Sequence, residues 1–416
     1  MPQEKPETGD YVELKSSKGI FRGVLLPRPK DFEKSITSLK LDNGYNIGLR
    51  DAEVKLIKKG TIMKKSTKEY ENKKELPSIS IISTGGTIAS YVDYNTGAVH
   101  PAMKADDLVS EMPEIMDMCS IKASALLSIL SENMKVEYWQ KLATKIAEDI
   151  KEGAYGIVIP HGTDTMHYTA SALSFMLGNL PIPVVLVGSQ RSSDRPSTDA
   201  YLNTLSAISV AKSDLAEVVV LMHENTSDNM CRIHRGTRVR KMHTSTRDAF
   251  QCINDEPIGI AKKEIVTFLN PRTKRVNRKI ELKTKMNEKV SLLYFYPGLK
   301  TEDFEYMIEK NDGIVIMGTG LGHVSTNLIK SIKNATDNGK LIAMTSQCLY
   351  GSVNLNVYST GRELLKAGVI PLGDMLPEVA YVKMMWVLAN TSNPRNALTE
   401  NLVGEISDKR KLMVYE

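Results

Sequence analysis

From residue 79 to residue 346 the chain repeats one pattern: an apolar run of five or six residues, then a stretch with a helical period. The runs are "ISIIS" (79–83), "ALLSIL" (125–130), "YGIVI" (155–159), "VVLVG" (184–188), "VVVLM" (218–222), "SLLYFY" (291–296), "GIVIM" (313–317) and "LIAMTS" (341–346). A strand that is apolar throughout has no face to offer to water, so it belongs in a sheet covered on both sides. The intervening segments supply the cover. The clearest, "VEYWQKLATKIAEDI", places Val136, Trp139, Leu142, Ala143, Ile146 and Ile150 on one face. Strands and amphipathic helices in alternation imply an α/β fold built on a parallel sheet. The basic stretch 262–289 interrupts the alternation, and a second α/β unit begins near 290.

The segment before residue 78 reads differently. "YVELKSSKGIFRGVLLPRP" has short β-type runs broken by Lys-Gly and Pro, and "SLKLDNGYNIGLRDAEVKLI" alternates apolar residues around Asn43-Gly44, a hairpin signal. The expected organisation is a small SH3-like β-barrel over 1–60 and a basic linker over 61–77. Two α/β domains follow, 78–288 with the active site and 289–416. Residues 1–77 hold 17 Lys/Arg and 12 Asp/Glu, which accounts for the whole net charge of +5. A basic bias in one segment fits contact with something acidic, such as nucleic acid, and equally fits a solvated lysine-rich surface. At 42% hydrophobic and 25% charged, the 416 residues have an ordinary globular composition, and no apolar run reaches membrane-spanning length. The first residues are polar and do not read as a signal peptide. Four widely spaced cysteines show no metal-ligand spacing, which leads us to expect a cytoplasmic, reduced setting.

Ligands of open parallel sheets bind beyond the carboxyl ends of the strands. Two such ends read alike here. "SIISTGGTIAS" and "VIPHGTDTM" each run from an apolar strand into glycine and then threonine, Thr87 in one and Thr163 in the other. Gly85-Gly86 allows a sharp turn and a close approach of backbone to ligand. Glycines also simply end strands, and threonines cap helices. A third end, "GTGLGH" (318–323), is glycine-rich too. None of the three carries a G-x-x-x-x-G-K-[ST] or a G-x-G-x-x-G pattern, so phosphate and dinucleotide sites are poorly supported. A threonine hydroxyl needs a base to act as a nucleophile. His161 and His167 are candidates that also suit a structural role, and the seven histidines form no triad. A lysine serves when burial or cationic neighbours lower its proton affinity. "CRIHRGTRVRKMHTSTRDAF" (231–250) offers Lys241 amid five arginines, and a solvated basic face explains that stretch as well.

Taken together, "STGGTIA" and "PHGTDTM" resemble the two signature motifs of the bacterial-type L-asparaginase/glutaminase family. The resemblance extends through "ILSENM" (129–134), "VGSQRSSDRPSTDA" (187–200), "RVRKMHTSTRDAF" (238–250) and "TSQCLYGSVNLNVYSTG" (345–361). It implies the two-domain asparaginase-like α/β fold with a parallel sheet. It also implies hydrolysis of a side-chain amide through an acyl-threonine, without metal or cofactor. By motif position Thr87 would be the nucleophile, and Thr163, Asp164 and Lys241 the second catalytic group. Ser131 and Glu132 would bind the substrate's α-carboxylate and α-amino groups; the glutamate stands where the family commonly has glutamine. Gly86 and Gly162 would line the substrate. The family's loop tyrosine would be Tyr94 or Tyr91, in the loop 90–102 taken as the mobile element. The family also implies at least a homodimer.

Free-standing members begin close to the first motif, whereas about 77 residues precede it here. This extension resembles the amidase subunits of the archaeal glutamyl-tRNA(Gln) amidotransferases. That resemblance implies a glutaminase that hands ammonia to a kinase-type partner, the E subunit of those enzymes. The partner would bind ATP and Mg²⁺ and act on glutamyl-tRNA(Gln), with a homodimer of this chain inside a heterotetramer. An independent cytoplasmic asparaginase with an accessory domain, or a non-enzymatic RNA-binding protein, would be the alternatives.

Overall fold

In the computed structural model, residues 5–26, 35–41, 46–59, 75–86, 90–92, 99–101, 112, 114–191 and 198–407 are described. The N-terminal β-runs form five strands: β1 (Tyr11–Ser16), β2 (Gly19–Leu25), β3 (Ile36–Leu41), β4 (Asn46–Arg50) and β5 (Glu53–Lys58). All pairings are antiparallel, in the order β4-β3-β2-β1-β5. The strands flanking Asn43-Gly44 pair as the hairpin signal expects, Lys40 opposite Asn46, although the turn lies outside the described residues. The sheet curls until β1 and β4 share a core of Val12, Leu14, Leu39 and Leu49. The expected linker over 61–77 falls largely outside the described residues.

The first α/β unit follows. Its chain order runs through β6 (Ser78–Gly85), the short ribbon β7 (Ser90–Val92) and β8 (Val99–Pro101), α1 (Ile115–Met118), β9 (Ser120–Ile129), α2 (Val136–Lys151) and β10 (Gly156–Pro160). It continues with α3 (Met166–Met176), β11 (Leu177–Gly178), β12 (Val184–Val187), α4 (Ala200–Lys212), β13 (Val218–His223), β14 (Cys231–Arg235), the ribbon β15 (Val239–Lys241) and β16 (Phe250–Cys252), and then β17 (Gly259–Lys262), β18 (Ile265–Phe268) and β19 (Glu281–Leu282). The main sheet has the order β18-β17-β14-β13-β12-β10-β6-β9. Its central strands are buried on both faces, as their unbroken apolar character demands. In β13, for example, Val218, Val220 and Met222 enter the core beneath α2 and α3, while Val219 and Leu221 enter the one beneath α4.

The parallel sheet expected from the sequence is present, and it carries an antiparallel extension. Five strands run parallel, but β14, β17 and β18 return antiparallel along one edge. Short connections join β13 to β14 and β17 to β18, whereas the β15–β16 ribbon lies between β14 and β17; β17 and β18 are half-exposed and mixed in polarity, as an outer ribbon permits.

The second unit is a four-stranded parallel sheet of β20 (Val290–Tyr294), β21 (Gly313–Gly318), β22 (Leu341–Ser346) and β23 (Ile370–Pro371). Helices α5 (Thr301–Lys310), α6 (Ile329–Asp337), α7 (Ser359–Lys366), α8 (Pro377–Asn390) and α9 (Pro394–Thr399) accompany it. Helix α8 packs on α3, where Phe175 meets Trp386 and Tyr168 meets Tyr381, so one hydrophobic core runs through both units. Among the described residues no helix is long and apolar enough to cross a membrane.

Candidate active site

Strands β6 and β10 are neighbours, Ile81 opposite Val158, so the loops leaving their carboxyl ends meet. They meet with bare backbone. Gly86 holds φ +85°, and a Cβ there would fall 2.3 Å from Gly162 N. A Cβ on Gly162 would lie 2.7 Å from Ser131 Cβ, and one on Gly188, after β12, would lie 2.8 Å from Thr163 Cγ2. Any larger residue would force the four segments apart, which is the physical reason for glycine at these places.

Thr163 opens a single 3-10 turn, Thr163–Thr165, and is buried. Lys241, the last residue of β15, donates from Nζ to Thr163 Oγ1 at 2.8 Å and to Asp164 Oδ1 at 2.8 Å. The lysine side chain is 9% exposed and the aspartate 66%, so an embedded amine sits behind a carboxylate open to solvent. Such an amine can exchange a proton with the hydroxyl, while the carboxylate fixes its direction. The Thr165 hydroxyl donates to Ser131 O at 2.7 Å and ties the second motif to the "ILSENM" loop. Ser131 is buried against Gly162, and Glu132 beside it is exposed. Of the residues singled out from the sequence, the structure thus brings together Gly86, Ser131, Glu132, Gly162, Thr163, Asp164 and Lys241. Thr87 and Tyr94 lie outside the described residues, and Tyr91 falls in β7.

The two candidate histidines take structural places. Trp139 Nε1, which can only donate, gives its hydrogen to Thr169 Oγ1 at 3.0 Å. His161 Nδ1 lies 2.7 Å from Gly162 O, which can only accept, so Nδ1 carries the proton. Nε2, 2.9 Å from Thr169 Oγ1, then accepts the threonine hydrogen. Burial pushes the His161 imidazole down to about 4, against its bond to Gly162. His167 is held lower still, at about 3, by burial and then by Arg240, His161 and Lys241. Both are neutral near pH 7. His161 ties the Gly162 peptide to the first turn of α3, while His167 packs its ring on Tyr168 and leaves its buried Nδ1 without a hydrogen-bond partner. Sequence reasoning missed Thr165, Trp139 and Thr169. The signal for Thr165 was its place one residue past Asp164; for the other two there was none, because their partner comes from a different helix.

The arginines around Lys241 are not a solvated basic face either. Arg232 pairs with Glu224 at 3.2 Å, Arg235 with Glu217 at 3.0 Å, Arg238 with Asp374 at 3.0 Å, Arg240 with Glu378 at 2.8 Å and Arg247 with Asp228 at 2.9 Å. Among the described residues no group of three or more His, Cys, Asp or Glu side chains is placed to hold a metal ion.

Comparison with known proteins gives this arrangement a lineage. Residues 78–274 match the family model for the N-terminal part of asparaginase, and residues 289–398 match the glutaminase/asparaginase C-terminal domain. The thermostable L-asparaginase from Thermococcus kodakarensis is 34% identical, with a TM-score of 0.73, over 80% of this chain and 100% of its own. L-asparaginase I from Vibrio cholerae is 27% identical, with a TM-score of 0.69, over 80% of this chain and 99% of its own. The α/β units are therefore of the asparaginase type. Residues 6–59, which the asparaginases do not explain, match the GatD N-terminal domain. The glutamyl-tRNA(Gln) amidotransferase D subunit of Pyrococcus furiosus is 50% identical over 99% of this chain and 97% of its own length. Its counterpart in Methanothermobacter thermautotrophicus is 48% identical over 98% and 96%. The chain belongs to the family of glutamyl-tRNA(Gln) amidotransferase D subunits.

Proposed function

We propose that this chain is the glutamine-hydrolysing subunit of a tRNA-dependent amidotransferase. It releases ammonia from glutamine for the conversion of Glu-tRNA(Gln) to Gln-tRNA(Gln). The observation that carries this reading is the joint match of the N-terminal β-domain and both amidase units to the D-subunit relatives, nearly end to end. A free-standing asparaginase accounts for 80% of the chain and leaves the β-domain without a use.

In the proposed reaction the Thr87 hydroxyl adds to the side-chain amide carbon of glutamine and loses its proton to the enzyme. Thr163 and Lys241 form the hydroxyl–amine pair that delivers a proton to the departing nitrogen. Ammonia leaves, and a glutamyl ester remains on Thr87. Water, deprotonated by the same pair, then cleaves the ester to glutamate and restores both hydroxyls. Backbone N–H groups of the glycine turns at 86 and 162 are suited to hold the oxyanion. Asp164 orients Lys241 and receives the substrate's α-ammonium, and the Ser131–Glu132 loop receives its α-carboxylate and α-amino groups.

This chain uses no cofactor of its own. ATP and Mg²⁺ belong to the kinase-type E subunit, which carries the tRNA, in an assembly holding two copies of each chain in the cytoplasm. Glutamine hydrolysis is measured for the chain alone and with the partner, ATP and Glu-tRNA(Gln), together with formation of Gln-tRNA. The expected result is weak hydrolysis alone and a rise of about tenfold on addition of partner and tRNA, within the usual range of allosteric coupling. Full-rate asparagine hydrolysis by the chain alone, indifferent to partner and tRNA, would assign it as a stand-alone asparaginase instead.

A further inference from the structure

Lys241 sits on a ribbon that is fastened to the other half of the molecule. Just before β15, Arg238 is fully buried and uses three guanidinium hydrogens on C-terminal acceptors. Nε donates to Gly404 O at 2.8 Å, Nη1 to Asp374 Oδ2 at 3.0 Å and Nη2 to Ser407 Oγ at 3.0 Å. Arg240, the residue before Lys241, places Nη1 2.8 Å from Oε1 of Glu378, in the first turn of α8. This is an ion pair rather than an aligned hydrogen bond, since Arg240 Nη1 has no hydrogen-bond partner. Beyond β16, the Asn254 amide donates to the carbonyls of Gly351 at 3.1 Å and Asp374 at 3.2 Å, and its Oδ1 accepts from Gly351 N at 2.9 Å.

The acceptors are themselves held in place. Asp374 Oδ1 accepts from Ser407 N at 3.0 Å. Glu405 accepts from the N–H groups of Leu402 and Val403 and pairs with Lys383 at 2.6 Å, both side chains fully buried. Strand alternation sends residues 238 and 240 one way and residue 241 the other. One face of the ribbon is therefore gripped by the C-terminal half, while the amine on its other face reaches Thr163 and Asp164, which ride on the loop after β10. Lys241 spans two bodies, and the distance from its Nζ to Thr163 Oγ1 records how they sit.

We propose that Arg238 and Arg240 are positioning residues of the amidase, which anchor the Lys241 strand on Asp374, Glu378, Gly404 and Ser407 so that the C-terminal half sets the lysine on Thr163. The proposal rests on the amidase reading above. Proton transfer between Thr163 and Lys241 is steeply sensitive to that contact, whereas the groups assigned to glutamine's α-carboxylate and α-amino ends lie on the other side of the joint. Loosening the anchor should therefore lower kcat and leave KM alone.

The test uses the full chain in complex with its partner, with glutamine as substrate. Glu378→Gln and Arg240→Met are each expected to lower kcat by about 10- to 100-fold, the scale of a displacement near 1 Å, with KM within about twofold. Arg240→Lys keeps a cation opposite Glu378 and is expected to recover most of kcat. Ser407→Ala removes one of the three Arg238 bonds and should give a smaller loss of the same kind. Unchanged kcat in Glu378→Gln and Ser407→Ala would overturn the proposal. So would a loss that appears in KM, or Arg240→Lys and Arg240→Met being equally impaired. If Arg240→Met does not fold, Glu378→Gln decides, since it leaves every Arg238 bond in place. An inactive wild-type complex would overturn the amidase reading itself, whereas an active wild type with indifferent variants overturns only this proposal.

Discussion

Two glycine-rich strand ends, one in each half of the molecule, look interchangeable in the sequence and behave differently in the fold. "PHGTD" follows β10 and "GTGLGH" follows β21. Both strands are central and parallel, and both ends carry a threonine. At the second end the threonine is used within its own loop. Thr319 Oγ1 donates to His323 O at 3.2 Å, and the backbone of the same two residues bonds in both directions. Of the glycines there, Gly322 faces Val353, Met344 and Leu355, and Gly320 faces open space. At the first end the Thr163 hydroxyl is met by Lys241, 78 residues further along the chain, and its glycine, Gly162, packs on the backbone of Gly86 and the side chain of Ser131. A strand end of this composition is common property of α/β sheets. It becomes a site when other elements deliver charge and hydrogen-bonding groups to it.

The largest effect that would sharpen the contrast is on turnover. Thr163→Ala and Lys241→Ala are each expected to lower glutamine hydrolysis by about a thousandfold or more, and the double variant little further, as for residues that act as a unit. Thr319→Ala should leave the rate within about twofold, and steady-state kinetics on the three variants decides. A comparable loss in Thr319→Ala would mean that the second end takes part in the chemistry.

A smaller effect is expected from added methyl groups. Gly162→Ala must push back Ser131 and should destabilise the fold by about 1–3 kcal/mol while abolishing activity. Gly320 has φ +51° and nothing within 4 Å of where its Cβ would be. Gly320→Ala therefore costs only the left-handed backbone, about 1–2 kcal/mol, and should spare activity. Urea unfolding beside an activity assay separates the two; an active Gly162→Ala would break the packing account of the first end.

The last effect concerns pH. His161 and His167, at the first end, fall to about 4 and about 3 from the ordinary 6.5. Below 6.5 the unfolded chain takes up protons that the folded one refuses, so stability rises with pH across that window and is lost on acidification. Each histidine contributes up to about 1.4 kcal/mol per pH unit. Urea unfolding at pH 7 and pH 5 should show the loss, and His161→Phe should flatten its share. A pH-independent midpoint would show that these rings are not held neutral.

The strands of the central sheet were legible because its runs are apolar on both faces, and the β3–β4 pairing because turn chemistry is local. The antiparallel edge was not legible. β14 reads "CRIHR", and nothing in five residues distinguishes a strand that returns from one that continues. The pairing of Lys241 with Thr163 became expected only through the family resemblance, since spacing alone left a solvated basic face as good a reading. The anchors of Arg238 and Arg240 could not be read at all. Their partners come from positions 374–407, and no periodicity links a buried arginine to a carboxylate 136 residues away. His161 was ambiguous for a related reason: a donor count settles its role only once Trp139 and Thr169 are known to be neighbours.

The buried turn that receives Arg238 also orders events in time. A polypeptide emerges from its N-terminus, and its early domains fold first. The sheet, the glycine loops and Lys241 itself are all synthesised long before Glu405 can meet Lys383 or Ser407 can meet Arg238. Until residues 374–407 are made, the Arg238 guanidinium lacks the acceptors it uses in the fold, Asp374, Gly404 and Ser407. A ribosome-bound or prematurely halted chain therefore carries the parts of an amidase without the brace that sets them.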